Sequence, residues 1–405
     1  MSKIVTDEKQ IEHLLTRGVE NIYPDKESLK KLLLSGKRIR LYCGYDPTAA
    51  TLHIGHGITI RKLAQFLQLG HEVIFLFGDF TGQIGDPTDK SATRKQLTKK
   101  QVLENLKGWK GQIKDLIDIK KIRFEYNSKW LSKLNFADTI KLASYFTAQQ
   151  TLARSMFKER IDSGKDLYFH EFLYPVMQAY DSVALDVDLE IGGNDQMFNM
   201  LAGRTLMKKM KNKEKFVLTT RLLEDPTGKK MGKSEGNMIP LIDTPEEMYS
   251  KVMSWPDEMI IPAFEILTDV SEETILEVKD QLSLGKVNPR DLKMQLAYEV
   301  VRVYQGDKKA KEGEQYFKRV FQDKQKPLEI SEVLIEDKDG KIGVLDLFVK
   351  AGLAKSNAEV RRLIKEGALR VDDQLVRNEK MQLEVSGSGL LLQKGKKFFA
   401  KVVKK

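Results

Sequence analysis

The spacing of apolar residues along this chain changes character several times, and those changes divide it into units. Residues 38–43, Arg-Ile-Arg-Leu-Tyr-Cys, read as a short strand that Gly44-Tyr45-Asp46-Pro47-Thr48 interrupts. Ile60, Leu63, Phe66 and Leu67 then recur at helical spacing until Gly70. Strand-like runs at 72–77, 122–124 and 186–191 alternate with helical patterns as far as about residue 222. That alternation predicts a doubly wound parallel sheet, with its binding crevice at the carboxyl ends of the strands. From Thr244 to about Gln325 the spacing is helical with little strand character. Near the end, Leu345, Phe348, Val349 and Leu353 predict one short helix, and Asn357 is placed to cap a second that carries Val360, Leu363 and Ile364. Residues 368–376 then read as a hairpin. The expected organisation is an α/β, Rossmann-like doubly wound parallel-sheet domain at 1–225, a loop and α-helical domain at 226–326, a linker at 327–340 and a small α+β domain at 341–405.

Charge sharpens the reading of the last unit. The chain carries a net charge of +10, and residues 341–405 contribute most of it, with 15 Lys and Arg against 7 Asp and Glu. Such asymmetry points to nucleic-acid phosphates as a partner. Periodic apolar residues in the same stretch argue against a disordered basic tail. A single cysteine, Cys43, excludes an internal disulfide framework and leaves no His/Cys cluster for zinc, so no protein-ligated metal is expected. No apolar run approaches a membrane span, and Asp7, Glu8 and Lys9 interrupt any signal-like start. A soluble, cytoplasmic chain without a membrane partner is expected.

Two motifs carry candidate chemistry. His53-Ile54-Gly55-His56 stands where the first strand gives way to a helix, and it uses two of the chain's five histidines. A helix start has unsatisfied N–H groups and partial positive charge, which suits phosphate. Gly55 and Gly57 are expected to leave room for a nucleotide against the backbone. The second motif, Lys230-Met231-Gly232-Lys233-Ser234, lies in a stretch with three glycines between 228 and 236, a flexible loop whose lysines can follow a phosphate as it moves. Farther along, Tyr174, Gln178 and Asp181 are spaced i, i+4 and i+7, so a helix presents a phenol, an amide and a carboxylate on one face amid Leu173, Val176 and Met177.

Together the two motifs resemble the HIGH and KMSKS signatures of class I aminoacyl-tRNA synthetases, the second departing by Gly232 in place of serine. Leu41-Tyr42-Cys43-Gly44-Tyr45-Asp46-Pro47-Thr48, Ile84-Gly85-Asp86-Pro87-Thr88, Tyr174 to Asp181 and Ile191-Gly192-Gly193-Asn194-Asp195-Gln196 look like segments of bacterial tyrosyl-tRNA synthetases, in that order and over essentially the whole chain. This resemblance implies tyrosine activation with ATP and Mg²⁺, followed by transfer to tRNA(Tyr), in a homodimer. It implies that His53 and His56 stabilise the α-phosphate in the transition state, while Lys230 and Lys233, with Lys90, Arg94 and Thr48, engage the triphosphate and leaving pyrophosphate. Gly44, Gly55, Gly193, Asp195 and Ser234 complete the ATP side, with Asp195 at the ribose. Tyr174, Gln178 and Asp86 fall to the tyrosine ammonium group, with Asp46 on the same side and Gln196 near the carboxylate. Tyr42 and Asp181 fall to the phenolic hydroxyl. Phenylalanine would leave that last pair unsatisfied, the penalty for which tyrosyl enzymes themselves are the standing example.

The tail, helix, Ser-Asn-Ala-Glu-Val-Arg-Arg-Leu-Ile, Gly, hairpin, resembles an S4 RNA-binding domain, with Lys355, Arg361, Arg362 and Lys365 as its RNA-facing cations. Phe136, Ile140 and Leu142 lie in the segment where this family forms its dimer. Three alternatives stay open: a tryptophanyl enzyme, against which Tyr42 and Asp181 argue; a small adenylyl- or cytidylyltransferase, which lacks such a tail; and an RNA-binding paralogue without activity, which the intact histidines and lysines disfavour.

Overall fold

The structure is a computed structural model that describes residues 3–87, 97–230, 238–322, 332–335, 341–385, 389–395 and 398–404. The chain divides into two compact units, Met1–Gly313 and Glu314–Lys405.

The first unit is built on six strands, β1 (Val19–Tyr23), β2 (Arg40–Tyr45), β3 (Glu72–Phe77), β4 (Arg123–Tyr126), β5 (Leu189–Gly193) and β6 (Phe216–Thr220), in the spatial order β1-β6-β5-β2-β3-β4. β2 to β6 are parallel, and β1 adds an antiparallel edge on β6. Parallel strands are covered on both faces, which is why β3 reads Glu-Val-Ile-Phe-Leu-Phe without alternation and is buried from Val73 to Phe77. The hydrophobic pattern does not reveal β1, because Glu20 and Asn21 are polar and the strand is an edge. β2 runs two residues past the expected break, since Gly44 and Tyr45 stay in register with Leu76 and Phe77. The sheet winds one way from β2 through β3 to β4, and the other way from β5 to β6. The crevice of a doubly wound sheet opens where those directions part, between the carboxyl ends of β2 and β5.

Helices Pro245–Met253, Ile260–Leu267, Glu272–Ser283 and Pro289–Gln305 supply the helical part. They belong to the same compact unit as the sheet, so the expected boundary at 225 and 226 does not separate two compact bodies. The helix Ile54–Gln68 makes the joint. Arg61 donates to the carbonyls of Ile266 and Thr268 at 3.2 and 3.1 Å. Arg17 adds bonds to Phe264, Glu265 and Val270 at 2.8, 2.6 and 2.9 Å. Both satisfy carbonyls that a helix C-terminus leaves open. Tyr304 completes the joint, its hydroxyl donating to the carbonyl of Ile54 at 3.3 Å. The space at Gly57, expected for a nucleotide, is taken by this ring: a Cβ there would lie 2.3 Å from Cε1 of Tyr304.

In the second unit, helices Val344–Lys350 and Asn357–Lys365 pack on a sheet through Leu347, Phe348, Val360, Leu363, Leu369, Leu392 and Val402. Ser356, one residue before the expected Asn357, caps the second helix by accepting from Glu359 N at 3.3 Å. The hairpin Leu369–Val371 and Gln374–Leu375 turns on Asp372 and Asp373 at φ 45° and 66°, the left-handed pair of a tight hairpin turn. The stretch expected as a linker contains a strand, Glu332–Ile335, that pairs in parallel with Phe398–Lys404. Its pairing partner lies some seventy residues downstream, so no local signal marks it.

Gly57→Ala forces a methyl group into the buried Tyr304 ring. We expect a loss of about 1–3 kcal/mol in urea denaturation despite the better helix propensity of alanine. Tyr304→Leu in the same chain should recover part of it, as a non-additive pair.

Candidate active site

The entrance of the Ile54–Gln68 helix fixes both imidazoles of the His53/His56 motif. His53 is the N-cap and accepts from Gly55 N through Nδ1 at 3.1 Å; His56 accepts from His53 N through its own Nδ1, also at 3.1 Å. With each Nδ1 an acceptor, the proton of each neutral ring sits on Nε2. Burial, with Lys230 nearby, lowers the pKa of His53 to about 4. Burial, His53 and Lys230 hold that of His56 well below the ordinary imidazole range. Two neutral N–H donors therefore stand side by side, their ring centroids 4.0 Å apart.

The glycine-rich loop is fastened at both ends. On its near side Glu224 pairs with Lys230 across a turn in which Asp225 accepts from Thr227 N and Lys229 N at 2.9 and 3.0 Å. Lys230 forms an ion pair with Asp195, in the 3₁₀ turn Asn194–Gln196 directly after β5. On its far side His53 pairs with Pro240, and Ile54 N donates to Ile239 O at 2.9 Å. The two motifs are thus tied to one crevice by backbone and charge. Lys90, Arg94, Gly232, Lys233 and Ser234 lie outside the described residues.

The Phe169–Leu185 helix places its three spaced polar residues along the β2/β5 divergence. Tyr174 donates to Asp46 Oδ2 at 2.9 Å, and Thr81 donates to Asp46 Oδ1 at 2.7 Å. Gln178 donates through Nε2 to Glu190 Oε1 at 3.0 Å. Asp181, only 3% exposed, accepts from Trp130 Nε1 at 2.7 Å and from Asn127 Nδ2 at 3.3 Å. Burial pushes its pKa well above the usual carboxylate range, those two bonds working against the rise. The Tyr42 hydroxyl lies 2.9 Å from Ser182 Oγ. At the neighbouring end, Gln196 donates to Asp86 Oδ2 at 2.6 Å and accepts from Asn199 at 3.0 Å. Asp46 itself is pushed up to about 7, chiefly by burial and in part by Asp86 and Asp79.

The structure therefore brings the buried Tyr42, Tyr174 and Asp181 and the half-buried Asp46 and Gln178 into one polar cluster. It places Asp86 and Gln196 in contact with each other, and Asp195 with Lys230. Gly44 is the last residue but one of β2 and Gly193 ends β5, where a Cβ on Gly193 would sit 2.5 Å from Asp195 Oδ1. Thr48 N donates to Asp46 O at 2.8 Å. Sequence reasoning missed Thr81, Asn127, Trp130, Ser182, Glu190 and Lys215, all of which hold the cluster together. Gly78 was one available signal: a Cβ there would lie 1.9 Å from Asp46 Oδ1, so only glycine admits that carboxylate. Elsewhere, Phe136 and Ile140 are 81% and 54% exposed, whereas Leu142 is buried against Val176, Ala179 and Leu206 and belongs to the core rather than to an interface. In the second unit Arg361 and Arg362 lie on the outer face of their helix, 3.5 Å from Glu379 and 3.8 Å from Glu366; Lys355 N donates to Glu359, and Lys365 is in the last turn.

Comparison with known proteins places the chain in a family. A family model described as tRNA synthetases class I (W and Y) matches residues 34–322, and an S4 domain model matches 345–387. The chain belongs to the class I tRNA synthetases of this tryptophan and tyrosine type. It is 44% identical over 402 residues to a tyrosine–tRNA ligase of Carboxydothermus hydrogenoformans, with 98% of each chain covered, and 40% identical to that of Thermotoga maritima, again with 98% of each covered. Within the class, the chain belongs to the bacterial tyrosine–tRNA ligase family. A solved tyrosyl-tRNA synthetase of Archaeoglobus fulgidus, in complex with L-tyrosine, shares the fold at a TM-score of 0.61 and 23% identity, over 75% of this chain and 99% of that one.

The raised pKa of Asp46 has a measurable consequence. Between its unfolded value near 4 and its native value of about 7, the folded chain binds a proton that the unfolded chain lacks, so this residue makes stability fall as pH rises through that window. Asp46→Asn should accordingly gain about 2–3 kcal/mol relative to the parent between pH 5 and pH 8 in urea denaturation. A difference that does not vary with pH would refute this assignment.

Proposed function

We propose that this chain activates L-tyrosine with ATP and transfers it to the 3′ end of tRNA(Tyr), in the cytoplasm and as a homodimer. The observation that carries this reading is the buried polar face of the Phe169–Leu185 helix, beside two imidazoles locked as neutral donors. In the first step a tyrosine carboxylate oxygen forms a bond to the α-phosphorus while the bond from that phosphorus to the bridging oxygen of pyrophosphate breaks. In the second, a terminal ribose hydroxyl of the tRNA attacks the tyrosyl carbonyl and AMP departs.

Such steps need positioning and charge stabilisation more than proton transfer. The Nε2–H groups of His53 and His56 donate to the α-phosphate oxygens, and neutrality keeps them effective across physiological pH. Lys230 and Lys233, together with Lys90 and Arg94, take the charge of the leaving pyrophosphate, Lys230 exchanging Asp195 for phosphate. Asp195 is then free for the ribose, while Thr48 and Ser234 adjoin the triphosphate beside Gly44, Gly55 and Gly193. Donors of this kind, imidazole N–H and ammonium, fit a Mg²⁺ ion carried in by ATP through its own phosphates rather than one held by the protein.

Gln178 has its amide nitrogen committed to Glu190, so its carbonyl oxygen faces the tyrosine ammonium with Asp86 and Tyr174. Tyr42 and Asp181 take the phenolic hydroxyl. The exposed Phe136 and Ile140 supply an apolar patch for the second subunit, and Lys355, Arg361, Arg362 and Lys365 face the tRNA backbone.

Amino-acid-dependent pyrophosphate exchange tests this reading: tyrosine should exceed tryptophan and phenylalanine by at least about 10³ in kcat/KM, and a preference for tryptophan would overturn it. Lys233→Ala should lower kcat for adenylate formation on the order of 10² with little change in tyrosine KM; equal losses in both would remove it from the transition state. Phe136→Asp should convert dimer to monomer in sedimentation equilibrium, and an unchanged mass would exclude this face as the interface.

A further inference from the structure

Beneath the amino-acid end of the crevice lies a charged pair, of which the reading above uses only the bond from Gln178 to Glu190. Lys215 opens the approach to β6 and is 0% exposed, Glu190 on β5 is 2% exposed, and they form a direct ion pair. Lys215 Nζ also donates to Met200 O at 3.1 Å and lies 6.0 Å from the centroid of the Tyr42 ring. Glu190 receives two further bonds, from Gln178 Nε2 at 3.0 Å and from Ser182 Oγ at 3.4 Å. Ser182 is in turn 2.9 Å from the Tyr42 hydroxyl. Such a pair is costly to bury and is weak evidence for stability, so its location asks for another reason. The chain also makes room for it at some expense: Gly203 sits inside the Met197–Lys211 helix, where glycine is unfavourable, and a Cβ there would lie 2.4 Å from Lys215 Nζ and 2.7 Å from Ser182 Oγ.

We propose that Glu190 and Lys215 are positioning residues that set the direction of the hydrogen bonds offered to both ends of the substrate. An ionised carboxylate accepts and cannot donate. Because Glu190 accepts from Gln178, the amide of Gln178 has one orientation only, with its carbonyl oxygen turned towards the substrate's ammonium group. Because Glu190 accepts the single proton of Ser182, the Ser182 oxygen must accept from Tyr42. Tyr42, having spent its proton, offers a lone pair to the hydroxyl of the substrate. Lys215, an ammonium that can only donate, meets Glu190 as a donor and so keeps every bond in this chain pointing one way. A donor hydroxyl on the substrate is thereby rewarded, and its absence leaves the Tyr42 lone pair unpaired.

This inference rests on the tyrosine-activating reading of the site. Its test is the paired neutral substitution Glu190→Gln/Lys215→Met, which removes both charges together and leaves no lone ion buried. A glutamine at 190 donates along one arm and reverses it. Pyrophosphate exchange should show tyrosine KM raised ~10-fold and the tyrosine over phenylalanine ratio lowered ~10-fold, with kcat falling less than about threefold. Thermal unfolding read alongside separates a structural effect, which shifts the melting temperature without moving the ratio. A folded double variant with parental KM and ratio overturns the proposal. If the double variant does not fold, Ser182→Ala keeps the ion pair and removes the hydroxyl that links Glu190 to Tyr42. It should lower the tyrosine over phenylalanine ratio severalfold, and an unchanged ratio overturns the proposal equally. A parent chain inactive with tyrosine would instead defeat the reading of the site, not this account of its supports.

Discussion

Polar groups buried where a parallel sheet changes winding direction must satisfy one another, and that constraint organises this molecule. β2 and β5 pair with each other, yet the connections leaving them diverge, so the ends of both strands face a crevice rather than a covering helix. Asp181 and Glu190 are buried there and Asp46 is half-buried. An unpaired charge or polar atom in such a place costs more than one hydrogen bond returns, so each carboxylate has acquired two or more donors. Thr81 and Tyr174 serve Asp46, Trp130 and Asn127 serve Asp181, and Gln178, Ser182 and Lys215 serve Glu190. The same bonds that make burial tolerable determine which atoms remain for a ligand.

The histidine motif follows the same logic at the start of a helix. Backbone N–H groups of His53 and Gly55 would be left open there, and the two Nδ1 atoms close them. Capping and chemistry are therefore not separate tasks: the cap bond selects the tautomer, and the tautomer selects which nitrogen carries the proton outward. Tyr304 braces that helix from the helical part, and Arg61 on the helix and Arg17 beside it donate to that part's carbonyls, so the position of the imidazoles depends on packing far from the sheet as well as on β2.

Legibility varied with how local the cause was. β3 could be read from six consecutive residues, and the Phe169–Leu185 helix from the repeat of its apolar and polar positions, because each is a property of neighbours in the chain. β1 and the strand Glu332–Ile335 could not, since one pairs with β6 and the other with Phe398–Lys404, across long stretches of sequence. Gly57 shows the same limit for a single residue. A glycine at a helix start suggests room for a ligand, and only the approach of Tyr304 from some 250 residues away reveals what fills that room. Leu142 and Phe136 look alike in an apolar pattern and end on opposite sides of the surface.

By itself the amino-acid sequence determined the alternation of strand and helix, the histidine and lysine motifs, the basic tail and the family to which these belong, since all of these are carried by residue type and short-range spacing. Tertiary structure alone decided the partners. Which donor meets Asp181, that Gln178 donates to Glu190, and that a buried lysine stands behind Tyr42 depend on side chains from strands and helices distant in sequence, whose approach is set by the packing of the whole sheet.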